Sequence, residues 1–109
     1  MSKYHAQRTT YNGEPFDSKR ELARYKELLL LQRGHVITDL RRQVPYLLIP
    51  AQYNKDGKCI ERSASYVADF VYRKDGKLVV EDCKGVKTDV YRLKKKLMLW
   101  VYEIEVLET

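Results

Sequence analysis

Four side chains in this sequence have the types and spacing that handle a divalent cation: Asp69, Asp82, Lys84 and, far upstream, Glu21. Asp82 and Lys84 stand two apart in a segment of strand character. Alternation then puts them on one face, with Glu81 and Cys83 on the other. Asp69 is a charge inside the apolar run YVADFVY, where a solvent-facing carboxylate gains little. If the two segments pair through the turn at 74–76, Asp69 and Asp82 lie at the same end of the hairpin. Two carboxylates and one ammonium then converge. Carboxylates about 5 Å apart repel by roughly 3 kcal/mol at an effective dielectric of 20. A hard cation removes that cost, and Mg²⁺ takes one or two carboxylates completed by water and phosphate oxygens. The lysine then acts as a point charge beside an attacking water or a developing anion.

Each residue also has a plainer reading. D-x-K is a short motif, and a carboxylate–lysine pair beside a turn can be a solvated surface pair. Gly85, directly after the lysine, leaves room for a backbone or a phosphate to approach. Ser18-x-x-Glu21 is a capping-box pattern, with Ser18 as N-cap and Glu21 at N3, and this role does not exclude a metal-site role. Glu81 reads as a surface or helix-facing ion pair, and Cys83 as core packing. His5 and His35 have no partner residues that would make them acid–base groups.

The elements that must position these groups follow from periodicity. Thr9–Tyr11 and Glu14–Phe16 read as a short hairpin across Asn12-Gly13, a pair that tolerates the positive φ of a type I′ turn. A helix starts near Asp17 or Ser18, carries Leu22, Tyr25, Leu28, Leu29 and Gln32 at a 3.6 period, and ends at Gly34. The run Leu28–Leu31 predicts burial from the second turn onward. Extended structure follows from Val36 to Leu40 and from Val44 to Pro50, with Pro45 and Pro50 marking a strand end, edge or bulge. Asn54–Lys58 is a turn. Ser65–Arg73 and Lys77–Lys84 are strands joined at Lys74-Asp75-Gly76. A second helix opens at Thr88 and presents Val90, Leu93, Leu97, Trp100 and Val101 as its buried stripe, with Leu99 on the far face. Tyr102–Leu107 is a last strand. The layout is α/β, in the order helix, three strands, helix, strand, with an optional leading hairpin.

The 109 residues make one domain, 1–109, with residues 1–8 read as a mobile lead. With 44% hydrophobic residues it can bury a core without staples. Nothing approaches the roughly 20 apolar residues of a membrane helix, and MSKYHAQRTT is too polar for a secretory signal. Two cysteines, Cys59 and Cys83, are too few and too scattered for a disulfide framework or zinc site, which fits a reduced intracellular setting. A net charge of +6 and a pI near 9.3 favour a polyanionic partner. Arg92 with Lys94, Lys95 and Lys96 is either a solvated helix face or a ridge touching phosphates. Lys94, near the edge of the apolar stripe, is the one expected to lean toward the carboxylates.

Taken together, these residues resemble the PD-(D/E)XK nuclease superfamily. Its αβββαβ core carries Asp on the second strand and (D/E)-x-K on the third, here Asp69 and Asp82-Cys83-Lys84. Two groups within it look similar. One is the phage-encoded DUF1064 family, matched by FDSKRE at 16–21, ADFVY at 68–72, VEDCKG at 80–85 and RLKKK at 92–96. The other comprises phage endonucleases that resolve four-way DNA junctions, matched by VPYLLIP at 44–50, ADF at 68–70 and DCKG at 82–85. Ala68 replaces the proline of the superfamily's name, and Asp82 replaces the commoner glutamate.

The resemblance implies a restriction-endonuclease-like mixed sheet flanked by helices and a Mg²⁺- or Mn²⁺-dependent endodeoxyribonuclease acting on branched DNA. Asp69, Asp82, the Cys83 carbonyl and Glu21 would hold the metal, and Lys84 would orient the nucleophilic water. Lys19, Arg20, Lys87, Arg92, Lys94, Lys95 and Lys96 would contact DNA. A homodimer, with Leu99 at its interface, and a place in the cytoplasm of a phage-infected bacterium are further implications. The other readings are a sequence-selective or nicking nuclease and a non-catalytic binding module on the same fold.

Overall fold

A computed structural model of the chain describes residues 8–109, so His5 and most of the expected mobile lead fall outside the described residues. The chain opens with a hairpin of β1 (Thr9–Tyr11) and β2 (Glu14–Phe16). Asn12 (φ 52°) and Gly13 (φ 79°) make its turn, as the Asn-Gly pair dictates. Helix α1 (Lys19–Arg33) is capped by the Ser18 side chain, which accepts from the Glu21 N–H, and it ends at Gly34. The left-handed residue there is His35 (φ 61°), one position later. Strand β3 (Thr38–Ile49) is continuous where two pieces were expected, and Pro45 is tolerated because β3 lies at the edge of its sheet. An unforeseen small hairpin, β4 (Gln52–Tyr53) and β5 (Cys59–Glu61), flanks the Asn54–Lys58 turn. Strands β6 (Ala64–Lys74) and β7 (Lys77–Asp82) pair antiparallel across Asp75-Gly76. Helix α2 (Asp89–Tyr102), capped by Thr88, leads to β8 (Leu107–Glu108).

The result is a mixed α/β architecture with a four-stranded sheet in the order β3-β6-β7-β8, antiparallel except for β7 with β8. The helices cover opposite faces. Leu28 of α1 packs on Phe70, Tyr72 and Ile37, joined by Tyr25, whose ring stacks on Phe70 at 6.0 Å. On the other face, Tyr91 and Met98 of α2 pack on Leu48, Tyr66, Ala68 and Val80.

Three expectations are corrected. The stripe assigned to the α2 core faces outward: Val90 is 64% exposed, Leu93 57% and Trp100 83%. The face α2 buries is instead that of Tyr91 and Met98, whose packing on Tyr66, Ala68 and Val80 sets the helix rotation, and only Leu97 of the expected stripe keeps a place beside the core. The last strand is two residues long, since Tyr102 still belongs to α2 and Glu103 (φ 58°) turns the chain there. Of the run Leu28–Leu31, only Leu28 is buried and Leu30 is exposed. No helix among the described residues is long and apolar enough to cross a membrane.

Candidate active site

The sheet changes phase at one rung. On β6, Tyr66 and Ala68 belong to the α2-side core, whereas Phe70 and Tyr72 belong to the α1-side core. On β3, Val44 and Tyr46 pack on the α2 side and Leu40 on the α1 side. The ladder nevertheless keeps its register through Arg42↔Phe70 and Val44↔Ala68. The switch therefore occurs in both strands at once, at Gln43 and Asp69, where strict alternation would have turned one side chain away. Gln43 has φ 52°, left-handed backbone in the middle of a strand.

Asp69 sits at this rung. The β6–β7 ladder runs from Lys74↔Lys77 to Phe70↔Glu81, so Asp69 is the first residue past the last pair. Its side chain takes over the pairing: the Cys83 N–H donates to Asp69 Oδ2 at 2.8 Å. A carboxylate from α1, Glu21, and one from β7, Asp82, both act on it. Glu21 arrives from α1. Its backbone N–H makes half of the capping box, but its carboxylate turns inward and is 3% exposed. There it meets Arg42 Nη2 and Gln43 Nε2, both at 3.5 Å, and the same Gln43 nitrogen lies 3.3 Å from Asp69 Oδ1. Burial, then the Glu21 carboxyl, push Asp69 up to about 6, against the Cys83 N–H, which pulls it down.

Asp82, the last residue of β7, is 1% exposed. Tyr66 donates to its Oδ2 at 2.6 Å. Its Oδ1 has no hydrogen-bond partner among the described residues and lies 3.6 Å from Lys84 Nζ. Burial raises the Asp82 carboxyl above its ordinary range, opposed by the Tyr66 hydroxyl. Lys84 stands two residues past the strand end, with its ammonium 5.2 Å from the centroid of the Tyr91 ring. A fully buried carboxylate rules out a solvated surface pair.

Glu21, Asp69, Asp82 and Lys84 are thus brought together as two adjoining pairs. Among the described residues, no three carboxylate, thiol or imidazole groups close into one ready-made cation cluster. Glu81 faces α1, where Arg24 grips it, in accord with a helix-facing ion pair. Cys83 is half-buried and borders a cavity with Arg20 and Ala23, so it is a rim residue and not core packing; burial raises its thiol.

The basic residues divide. Lys87 and Lys95 both pair with Glu108 Oε1, at 3.1 and 3.3 Å, and Tyr91 donates to its other oxygen. These contacts lower Glu108 to about 2, with the Tyr91 hydroxyl the largest influence. With Arg92 and Lys96 they border a cavity of about 530 Å³, joined to the carboxylates through Tyr91. Arg20 donates to the Thr109 carbonyl at 3.1 Å, and Lys19 is exposed at the start of α1. Lys94 is half-buried and, unlike Lys95, makes none of the described ion pairs. Tyr66, Gln43, Arg42 and Tyr91 were missed from sequence. Tyr66 carried a signal, since it shares the Ala68 face by alternation.

Fold and site define a small mixed α/β domain built around buried acidic groups and one lysine. The family profile described as "Protein of unknown function (DUF1064)" matches residues 1–107, and the chain belongs to that family. Neither a curated protein nor a solved structure matches it.

Proposed function

We propose that the chain is a metal-dependent DNA endonuclease of the PD-(D/E)XK superfamily, hydrolysing phosphodiester bonds in branched or otherwise structured DNA. The observation that carries this reading is Asp82. It is buried, one oxygen is held by Tyr66, and the other, without a hydrogen-bond partner among the described residues, lies nearest Lys84. An unmatched carboxylate oxygen beside the Glu21–Asp69 pair is a hard-oxygen donor set, which fits Mg²⁺ or Mn²⁺. Helix, three strands, helix and a parallel last strand are compatible with the superfamily's αβββαβ core.

Asp69, Asp82 and the Cys83 carbonyl would hold the cation, with Glu21 binding directly or through water. When bound, the cation supplies Lewis acidity at a phosphoryl oxygen and a more acidic water. The chain's own groups do the rest. Lys84 orients the attacking water and offsets the charge growing on the phosphate oxygens. Tyr66 fixes Asp82, and the Cys83 N–H fixes Asp69. Hydrolysis adds one water across a P–O bond, leaving a phosphate end and a hydroxyl end. Lys87, Arg92, Lys95 and Lys96, with Lys19, Arg20 and Lys94, would track the DNA backbone. A homodimer suits two-fold junctions, and the outward Leu99, Leu93 and Trp100 offer apolar surface for it. A phage or prophage setting in the bacterial cytoplasm belongs to the same proposal.

The test is incubation with supercoiled plasmid and a four-way junction, with Mg²⁺, Mn²⁺ or chelator. Metal-dependent cutting that disappears in Asp82→Asn while binding persists supports the proposal. Binding without cutting under any metal sinks it in favour of a binding module, the reading favoured by the lack of a ready-made three-ligand group among the described residues.

A further inference from the structure

Gln43 is the one residue at the phase-change rung with no part in the proposed chemistry. It occupies the left-handed region at φ 52° inside β3, a conformation that costs a non-glycine residue of this kind on the order of 1 kcal/mol. The neighbouring pairs on either side keep register while the facing switches, so β3 makes its part of the phase change at this left-handed residue. What the conformation achieves is direction. The Gln43 carboxamide reaches Asp69 Oδ1 at 3.3 Å and Glu21 Oε1 at 3.5 Å. Both are acceptors, and one NH₂ carries two donors. The amide is exposed, and beside it a cavity of about 320 Å³ opens, lined by Arg42, Glu21 and Asp17 among others.

We infer that Gln43 is a positioning residue: its carboxamide, aimed by a strained backbone, bridges Glu21 and Asp69 and keeps the two carboxylates at the spacing a divalent cation needs. This rests on the reading of those two residues as a ligand pair. Arg42 contacts Glu21 alone of the two and stacks on Phe16 at 3.7 Å, so it cannot substitute for the bridge.

The experiment compares the full chain with Gln43→Gly and Gln43→Asn. Glycine relieves the backbone and removes the amide; asparagine tolerates the left-handed region and keeps an amide one methylene shorter. Expected for Gln43→Gly is a melting temperature higher by about 4 °C together with Mn²⁺ binding weaker by about tenfold, read by calorimetry. Gln43→Asn should recover part of the affinity. A purely structural glutamine would lose stability on replacement by glycine and leave metal affinity alone, and that result overturns the inference. Should the wild type bind no Mn²⁺, the metal reading fails, and the bridge is judged by NMR. Gln43 side-chain amide resonances that move in both Glu21→Gln and Asp69→Asn support it, and resonances that ignore both overturn it.

Discussion

Glu81 and Asp82 are adjacent on β7 and equally hidden, at 0% and 1% exposure, yet their surroundings differ in kind. On the α1 face, both Glu81 oxygens are taken. Arg24 donates to them through Nε at 2.9 Å and Nη2 at 2.7 Å, and Tyr72 donates to Oε2 as well. The pair drives Arg24 far above its ordinary range, and burial with the Glu81 bond raises Tyr72 to about 12. On the α2 face, Asp82 has one phenol, an oxygen without a hydrogen-bond partner among the described residues, and an ammonium at 3.6 Å. A buried ion held by a bidentate arginine is internally complete. A buried carboxylate short of partners costs stability. One carboxylate joins α1 to the sheet; its neighbour keeps one oxygen without a hydrogen-bond partner among the described residues.

The largest effect should come from breaking the complete side. Arg24→Ala leaves Glu81 buried without its cation and should cost about 3–5 kcal/mol in urea denaturation. A loss under 1 kcal/mol would show that the two carboxylates are not so different. On the incomplete side, Asp82→Asn should leave the fold as stable or more stable and cut cleavage about a thousandfold, near 4 kcal/mol in the barrier. Severe unfolding in that variant would instead put Asp82 with Glu81 as a structural group.

The Asp69 carboxyl sharpens the contrast through pH. It titrates near 6 when folded and near 3.9 when unfolded, so the folded state holds the proton more tightly. Its stabilising share is fully present below pH 4 and is lost as pH rises through 6. The charged and hydrogen-bonding groups facing it are Glu21 from α1, Gln43 from β3, Asp82 from β7, and Lys84 with the Cys83 N–H beyond β7. Metal-free Asp69→Asn should therefore be more stable than wild type at pH 7, by about 1–2 kcal/mol after solvent screening, with no gain at pH 4. Equal curves at both pH values would show that neither burial nor the Glu21 carboxyl penalises the Asp69 charge. The smallest effect concerns the rim. Lys95→Ala should reduce the slope of log K against log salt for DNA binding by about one. An unchanged slope takes Lys95 out of the interface.

Much of this comparison was legible in the sequence. A carboxylate inside YVADFVY, the D-x-K spacing, the Asn-Gly and Asp-Gly turns, and the Ser18 and Thr88 caps each rest on one or two neighbouring residues and local sterics. Local rules of that kind need no knowledge of the rest of the chain, so they placed the leading hairpin, both helix starts and the two strands that bear Asp69 and Asp82. Alternation likewise sent Glu81 and Asp82 to opposite faces. What failed were the inferences about burial. The α2 stripe was chosen by counting apolar residues, but the face that is buried carries Tyr91 and Met98, which pack on β6 and β7 residues distant in the chain.

The sequence by itself determined which groups are present and which neighbours share a strand or a cap, because those constraints act over a few bonds. Only the tertiary structure decided that Glu81 would find Arg24, that Asp82 would lack a second partner, and that β3 and β6 would change phase together at Gln43 and Asp69. The physical reason is that compensation of a buried charge is a property of the whole packed surround. A carboxylate's cost or usefulness depends on donors delivered by elements distant in the chain, and no local pattern encodes which of them arrive.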